Sequence, residues 1–231
     1  MSSEIFYTTR TKLKTLYDTI RTKSGISGEM TIEQAIDAVS GINPGSNADI
    51  NKLLSGGEST WIYENSEITT LADNAMNGCL ILSLSLPNVT TIGANSIAGV
   101  YGDTSLISVE LASCTNVAYG ALQNRTILES VSIPSCLSIG GVAFQSDLSL
   151  KNLKLEVCGS IGANAFKNSG LTNLTLLRTE SMCRTNATAF EGTPLAAGNG
   201  HIYVPASMVD EYKADSSWAA LANYIEAYEE G

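Results

Sequence analysis

The chain has 231 residues, is 44% hydrophobic and only 16% charged, and carries a net charge of −10 at neutral pH with a single histidine. An acidic chain repels phosphate backbones, which argues against nucleic-acid partners, and no apolar run approaches the roughly 18 residues of a membrane-spanning helix. Five cysteines, an odd number without tight Cys-x-x-Cys spacing, do not make a disulfide framework.

The N-terminus departs from the acidic balance: Arg10, Lys12, Lys14, Arg21 and Lys23 face only Glu4 and Asp18. Leu13, Leu16, Tyr17 and Ile20 recur at helical spacing, so the basic side chains read as the solvated face of an amphipathic helix. Ser24 to Gly28 breaks it. Thr31 with Gln34 forms a capping-box pair, and Ile32, Ala35, Ile36 and Val39 continue a second helix up to Gly41. A helical hairpin is therefore expected over residues 1–44, and Pro44-Gly45 with Ser55-Gly56-Gly57 marks a linker over 45–60. The first residues have no apolar stretch after a basic one, so no Sec-type leader is expected in them.

From residue 61 the chain becomes periodic. Trp61-Ile62-Tyr63 is a short β-prone run, and an imperfect first repeat places Leu71 and Ala75-Met76 where later repeats have Ile-Gly and Ala-Phe. The phrase Leu-x-x-Val-x-Leu then recurs from Leu106, Leu128, Leu150 and Leu171, after a related phrase at Ile81, Leu84 and Leu86. A second apolar position follows each phrase at Ile92, Val117, Ile139, Ile161 and Met182. A small-plus-large pair comes next: Ser96-Ile97, Ala121-Leu122, Ala143-Phe144, Ala165-Phe166 and, delayed, Ala189-Phe190. A period of about 22 residues means that each unit has an apolar side it cannot bury alone, so neighbours must stack.

The alternation at the end of each phrase predicts a strand, and successive strands should pair in one parallel ladder about 4.8 Å apart. Gly93, Gly140 and Gly162 are expected to turn the backbone, and the Ala-Phe pair to pack a short helical or irregular return segment over the strand. The solenoid should cover residues 61–204. Ile202 to Pro205 reads as the last strand, with Pro205 tolerated at a terminal edge. Residues 205–231 should form a helical cap: Met208, Val209 and Tyr212 on one helix, and Trp218, Leu221, Tyr224 and Ile225 on another capped by Asp215 or Ser216.

Cys114, Cys136 and Cys158 recur at an interval of 22 and should align as a column. A thiolate row could hold a soft metal, yet no histidine joins it and aligned thiols are poor tetrahedral geometry, so a small buried column is the reading. Cys79 and Cys183 fit turn and core positions. His201, in a glycine-rich loop, would have to centre any Ser-His-Asp or Cys-His arrangement, and no partner set for it stands out. No catalytic, metal or cofactor site is predicted. The outward positions of the repeated strands, Ser85, Glu110, Ser132, Lys154 and Thr175, form the candidate partner-binding face. They include no aromatic for stacking on a sugar.

The repeat columns resemble the BspA-like leucine-rich repeats of bacterial surface proteins, and Ile202 to Lys213 with Trp218 is similar to the usual ending of such proteins. Leu13 to Gly25 and Met30 to Gln34 are similar to short N-terminal modules of tail-associated proteins from prophages of gut Firmicutes. The resemblance implies a right-handed leucine-rich-repeat solenoid of α+β repeat class, capped by helices at both ends. It also implies a non-enzymatic binding or structural module, tail-associated or recognising a host surface, with a cell-surface adhesin as the alternative. The expected partner is a protein or a surface polysaccharide. The expected location is the cytoplasm as made and then a virion, with the cell surface as alternative.

Overall fold

The computed structural model describes residues 62–229 except 80, 101, 102 and 104. The expected head, the linker and Trp61 lie outside the described residues. Among those described, strands numbered in chain order alternate between two sides of each coil. The odd strands carry the leucine phrase: β1 Ile62–Glu64, β3 Ser83–Ser85, β5 Ser108–Glu110, β7 Ser130–Ser132, β9 Asn152–Leu155, β11 Asn173–Leu176 and β13 His201–Val204. The even strands are two residues each: β2 Thr70–Leu71, β4 Thr91–Ile92, β6 Asn116–Val117, β8 Ser138–Ile139, β10 Ser160–Ile161 and β12 Arg184–Thr185.

All pairing is parallel, as a chain that returns to the same side after every coil requires. The single ladder expected from the phrase is, however, incomplete. The even strands β2 to β12 make a second, six-stranded ladder, and the odd strands divide into two sheets, β1-β3-β5-β7 and β9-β11-β13, the latter extended by a last strand, β14 Ile225–Ala227. Two-residue strands carry one inward side chain each, too few for alternation to be visible in the sequence.

The third side of each coil, expected to be helical or irregular, is a run of tight turns. Within a turn, N–H groups donate three residues back, as from Ala165 to Gly162 at 3.3 Å; between coils, Leu122 donates to Ala143 at 2.9 Å and Phe144 to Ala165 at 2.7 Å. Hydrogen bonds between coils thus run along all three sides. Four of the turns have left-handed residues at two points, and those at Asn95 and Gly192 have one. One column is Asn74, Asn95, Gly120, Val142 and Asn164, and the other includes Asn124, Ser146, Asn168 and Gly192. Asparagine and glycine suit this conformation, whereas the β-branched Val142, at φ 51°, is strained.

Gly93, Gly140 and Gly162 serve a different purpose from the expected turn. None has a positive φ. Instead a Cβ on Gly162 would lie 2.6 Å from the Gly141 nitrogen, and one on Gly140 would lie 2.7 Å from the Ala118 carbonyl carbon, so glycine is needed where successive backbones close in.

The core is made of columns. Leu106, Leu128, Leu150 and Leu171 are fully buried, as are the final leucine-phrase residues Leu86, Leu111 and Leu155. Each such side chain contributes roughly 1.5 to 3 kcal/mol of burial before ordering entropy is counted. The phenylalanine column stacks nearly flat: Phe144 and Phe166 lie 5.3 Å apart at 2°, and Phe166 and Phe190 lie 5.5 Å apart at 3°.

The delay in the last coil falls earlier than expected. Ile161 pairs with Thr185, not Met182, and Thr185 then stands the usual four residues before Ala189. The extra residues therefore lie between Leu176 and β12. A threonine occupies the column, so apolar patterning selected Met182 in its place.

The C-terminal segment begins with a 3-10 turn, Ala206–Met208, followed by helix α1, Val209–Ala214. The second expected helix is instead a 3-10 helix, Ala219–Tyr224, that runs into a strand, β14 Ile225–Ala227, parallel to β13. So β13 is not the edge, and Pro205 ends it without lying on the terminal strand. Asp215 closes α1 and accepts the Ser217 N–H at 2.7 Å; it does not cap a following α-helix. Trp218, fully buried, continues the phenylalanine column at 5.8 Å from Phe190. Its Nε1 donates to the Cys183 carbonyl at 2.8 Å, and the Tyr212 hydroxyl accepts the Cys183 N–H at 2.8 Å. The two aromatic side chains thereby satisfy both backbone groups of Cys183 in the last coil.

Because asparagine tolerates the left-handed region that valine resists, Val142→Asn is expected to raise unfolding stability by about 1 kcal/mol. Urea unfolding checks this; an unchanged or lower midpoint would contradict the assignment of strain at this position.

Candidate functional site

The outward side chains of the odd strands line up in a row within each sheet. Backbone register pairs Glu64 with Ser85, Ser85 with Glu110 and Glu110 with Ser132. In the second sheet Lys154 pairs with Thr175. The sheets meet between β7 and β9, where no ladder pairing joins Ser132 to Lys154. The five expected face residues therefore lie in two in-register groups.

The row also extends further than the sequence indicated. Thr175 pairs with Tyr203, and Tyr203 with Glu226 of β14. The face thus does carry an aromatic residue, which was missed because Ile202 to Pro205 was read as a terminal strand and Tyr203 was not projected onto the row. Glu110 and Lys154 do not pair with each other. Glu110 Oε2 accepts the Ser85 hydroxyl at 3.3 Å, and Lys154 lies 3.6 Å from Glu156, just past the end of its strand, with both side chains about half exposed. Two residues before each of these positions lies a second outward row, in which Ser83, Ser108 and Ser130 align, as do Asn152, Asn173 and His201. Hydroxyls and amides dominate the face. The exposed large hydrophobics Val100, Ile107, Tyr119, Leu137, Leu148 and Val157 all lie off these outward positions.

His201 is the first residue of β13, not a loop residue. Its Nδ1 is 3.0 Å from Glu226 Oε1, and its ring stacks on Tyr203 at 5.9 Å and 23°. No hydroxyl or thiol nucleophile is hydrogen-bonded to its imidazole among the described residues, so the arrangement does not make a catalytic triad.

The cysteine column is present and has four members. Cys114, Cys136, Cys158 and Cys183 are free and buried, with the Cys158 and Cys183 sulfurs 3.9 Å apart. Cys114, Cys136 and Cys158 each donate to the carbonyl two residues on, at 3.3, 3.2 and 3.3 Å. Burial raises the Cys114 thiol above its ordinary value, and hydrogen bonding to Cys158 together with burial raises Cys136 and Cys183. The same hydrogen bonds from Cys136 and Cys183 lower the Cys158 thiol, so Cys158 is the acceptor within a column whose other thiols stay protonated, and all four are enclosed in the packed core. Cys183 joins the column because the extra residues of the last coil precede it.

A buried polar column went unread in the sequence. Asp103, Arg125, Asp147 and Ser169 stand 22 residues apart, followed by Thr193, and all five are buried. Arg125 is enclosed completely. It donates from Nη1 to Asp103 Oδ2 at 3.1 Å and to the Cys79 carbonyl at 3.0 Å, and from Nε to the Ile97 carbonyl at 2.7 Å. The Asp147 Oδ1 accepts the Arg125 N–H at 2.9 Å, while its Oδ2 is buried without a hydrogen-bond partner. The shared interval of 22 was the available signal. It was masked because the column mixes acid, base and hydroxyl, and so has no common hydropathy.

These features define a class: a parallel β-solenoid built of repeated coils, with side-chain columns inside and a polar sheet face outside. The chain belongs to the BspA type leucine-rich repeat family, whose repeat region matches residues 69–196 in six copies. Comparison with curated proteins gives no significant match. No helix among the described residues is long and apolar enough to cross a membrane.

Burial holds the Asp147 carboxyl well above the usual carboxylate range, against the opposing pull of the Arg125 N–H and charge. Above about pH 4 the folded chain therefore keeps a proton that the unfolded chain has lost, and this group's contribution falls as pH rises. Relative to the parent, Asp147→Asn is expected to gain stability progressively as pH rises above about 4. Urea unfolding across that range checks it; a pH-independent difference between the two would contradict a neutral Asp147.

Proposed function

We propose that this protein is a non-enzymatic binding module whose outward sheet face, including Ser85, Glu110, Ser132, Lys154 and Thr175, takes a protein or a surface polysaccharide. The observation that carries the reading is the contrast between the two sides of the odd strands. Inward positions are occupied by a narrow set of buried aliphatic side chains, while outward positions vary in charge and polarity yet remain in register and reachable. A leucine-rich-repeat array is a binding scaffold in general, because stacked coils extend one face beyond what a single domain offers.

The likeness of residues 13–34 to prophage tail modules supports a finer reading. Residues 1–44 act as the attachment element, residues 45–60 as a linker, and the solenoid as the recognition body of a tail-associated particle protein. The family match favours a second setting, a cell-surface adhesin.

Ser132 is exposed near the middle of the row, so Ser132→Arg places a long cation on the face without entering the core. Full-length protein is expected to retain purified host-cell surface polysaccharide or tail proteins, and the variant to do so about tenfold less well with an unchanged unfolding midpoint. No retention by the parent, or equal retention by both, would remove the proposal.

A further inference from the structure

The C-terminal end of the outward face differs in chemistry from the rest. Over the rest of its length the face offers serine and asparagine with the charged Glu64, Glu110 and Lys154; at β11, β13 and β14 it gathers Asn173, Thr175, His201, Tyr203 and Glu226 on three adjacent strands. We propose that this cluster is a saccharide-binding subsite for a neutral glycan, resting on the reading of the face as a binding surface.

The site is held in shape before any ligand arrives. The Asn173 Oδ1 accepts the His201 N–H at 3.2 Å, and its Nδ2 donates to Asn152 Oδ1 at 2.9 Å, which fixes the amide. The His201–Glu226 contact of 3.0 Å engages Nδ1 and leaves Nε2 as the ring nitrogen for a ligand hydroxyl. It also orients the carboxylate, whose second oxygen is available to accept from a hydroxyl. The His201 and Tyr203 rings lie against one another, so the aromatic surface is braced. Such bracing lowers the ordering cost of binding.

Each group matches one side of a sugar. A pyranose ring presents weakly positive C–H groups on one face and hydroxyls around its rim. The negative face of an aromatic ring suits the former, and carboxylate, amide and imidazole suit the latter. A protein partner is less well matched, because specific protein interfaces centre on an apolar core and the outward positions of β9, β11 and β13 hold Asn152, Lys154, Asn173, Thr175, His201 and Tyr203, none of them aliphatic. Charge favours a neutral ligand: Glu226 lies in the cluster, the chain carries a net charge of −10, and no lysine or arginine lies among the five residues.

Affinity electrophoresis of the full chain in gels containing β-1,3-glucan, α-mannan, xylan or galactan tests this. Retardation is expected in at least one gel. It should weaken at least about tenfold in Tyr203→Ala and in Tyr203→Leu, which keeps apolar bulk but loses the flat ring, and less in Glu226→Gln. Thermal unfolding confirms that the variants are folded. Migration unaffected by all four polysaccharides, or retardation unchanged in both folded Tyr203 variants, overturns the subsite. If Ser132-dependent retention of a partner persists while no gel retards the chain, the binding-module reading stands and the saccharide assignment alone fails.

Discussion

Each coil hands its unsatisfied backbone to the next. Strand pairing on two sides and turn-to-turn hydrogen bonds on the third mean that the N–H and C=O groups of one coil find partners mainly in its neighbours, and the same translation stacks like side chain on like. Any residue is thus tested against the residue one coil away. That is why Phe144, Phe166 and Phe190 stack nearly flat, why thiols follow thiols, and why glycine recurs where backbones approach.

The same constraint makes the ends the difficult places, because the last coil has no neighbour. Here Trp218 takes the next place in the phenylalanine column while its indole N–H and the Tyr212 hydroxyl satisfy both backbone groups of Cys183. Strand β14 then covers the outer edge of β13. Closure is therefore part helix, part aromatic stacking and part added strand, and residues 225–227 carry the edge itself.

The sequence reveals the fold wherever a column has uniform hydropathy. The leucine phrase and the Ala-Phe pairs repeat the same kind of residue, so their period is visible, and the structure buries them together. Columns of mixed chemistry are not visible by that measure. Asp103, Arg125 and Asp147 keep the period as strictly as the leucines do, but alternate in charge, and only their shared burial reveals the column. Thr185 was passed over for Met182 on the same ground. The candidate face was legible as far as the phrase was regular; Tyr203 and Glu226 lie beyond the point where β13 was taken to be terminal, and strand pairing alone joins them to the row. For function, the uniform inward columns specify a scaffold, and the outward rows, free of that constraint, are where recognition can be written.

Stability thus passes from coil to coil through these columns and is closed at Trp218. Hydrogen exchange of the folded chain, compared between the parent and Trp218→Ala, tests it directly. Protection is expected to fall most in β13 and β11 and progressively less toward β5 and β3, because a stacked array loosens from its uncapped end. Protection lost equally along the whole solenoid, or unchanged around Cys183, would contradict it.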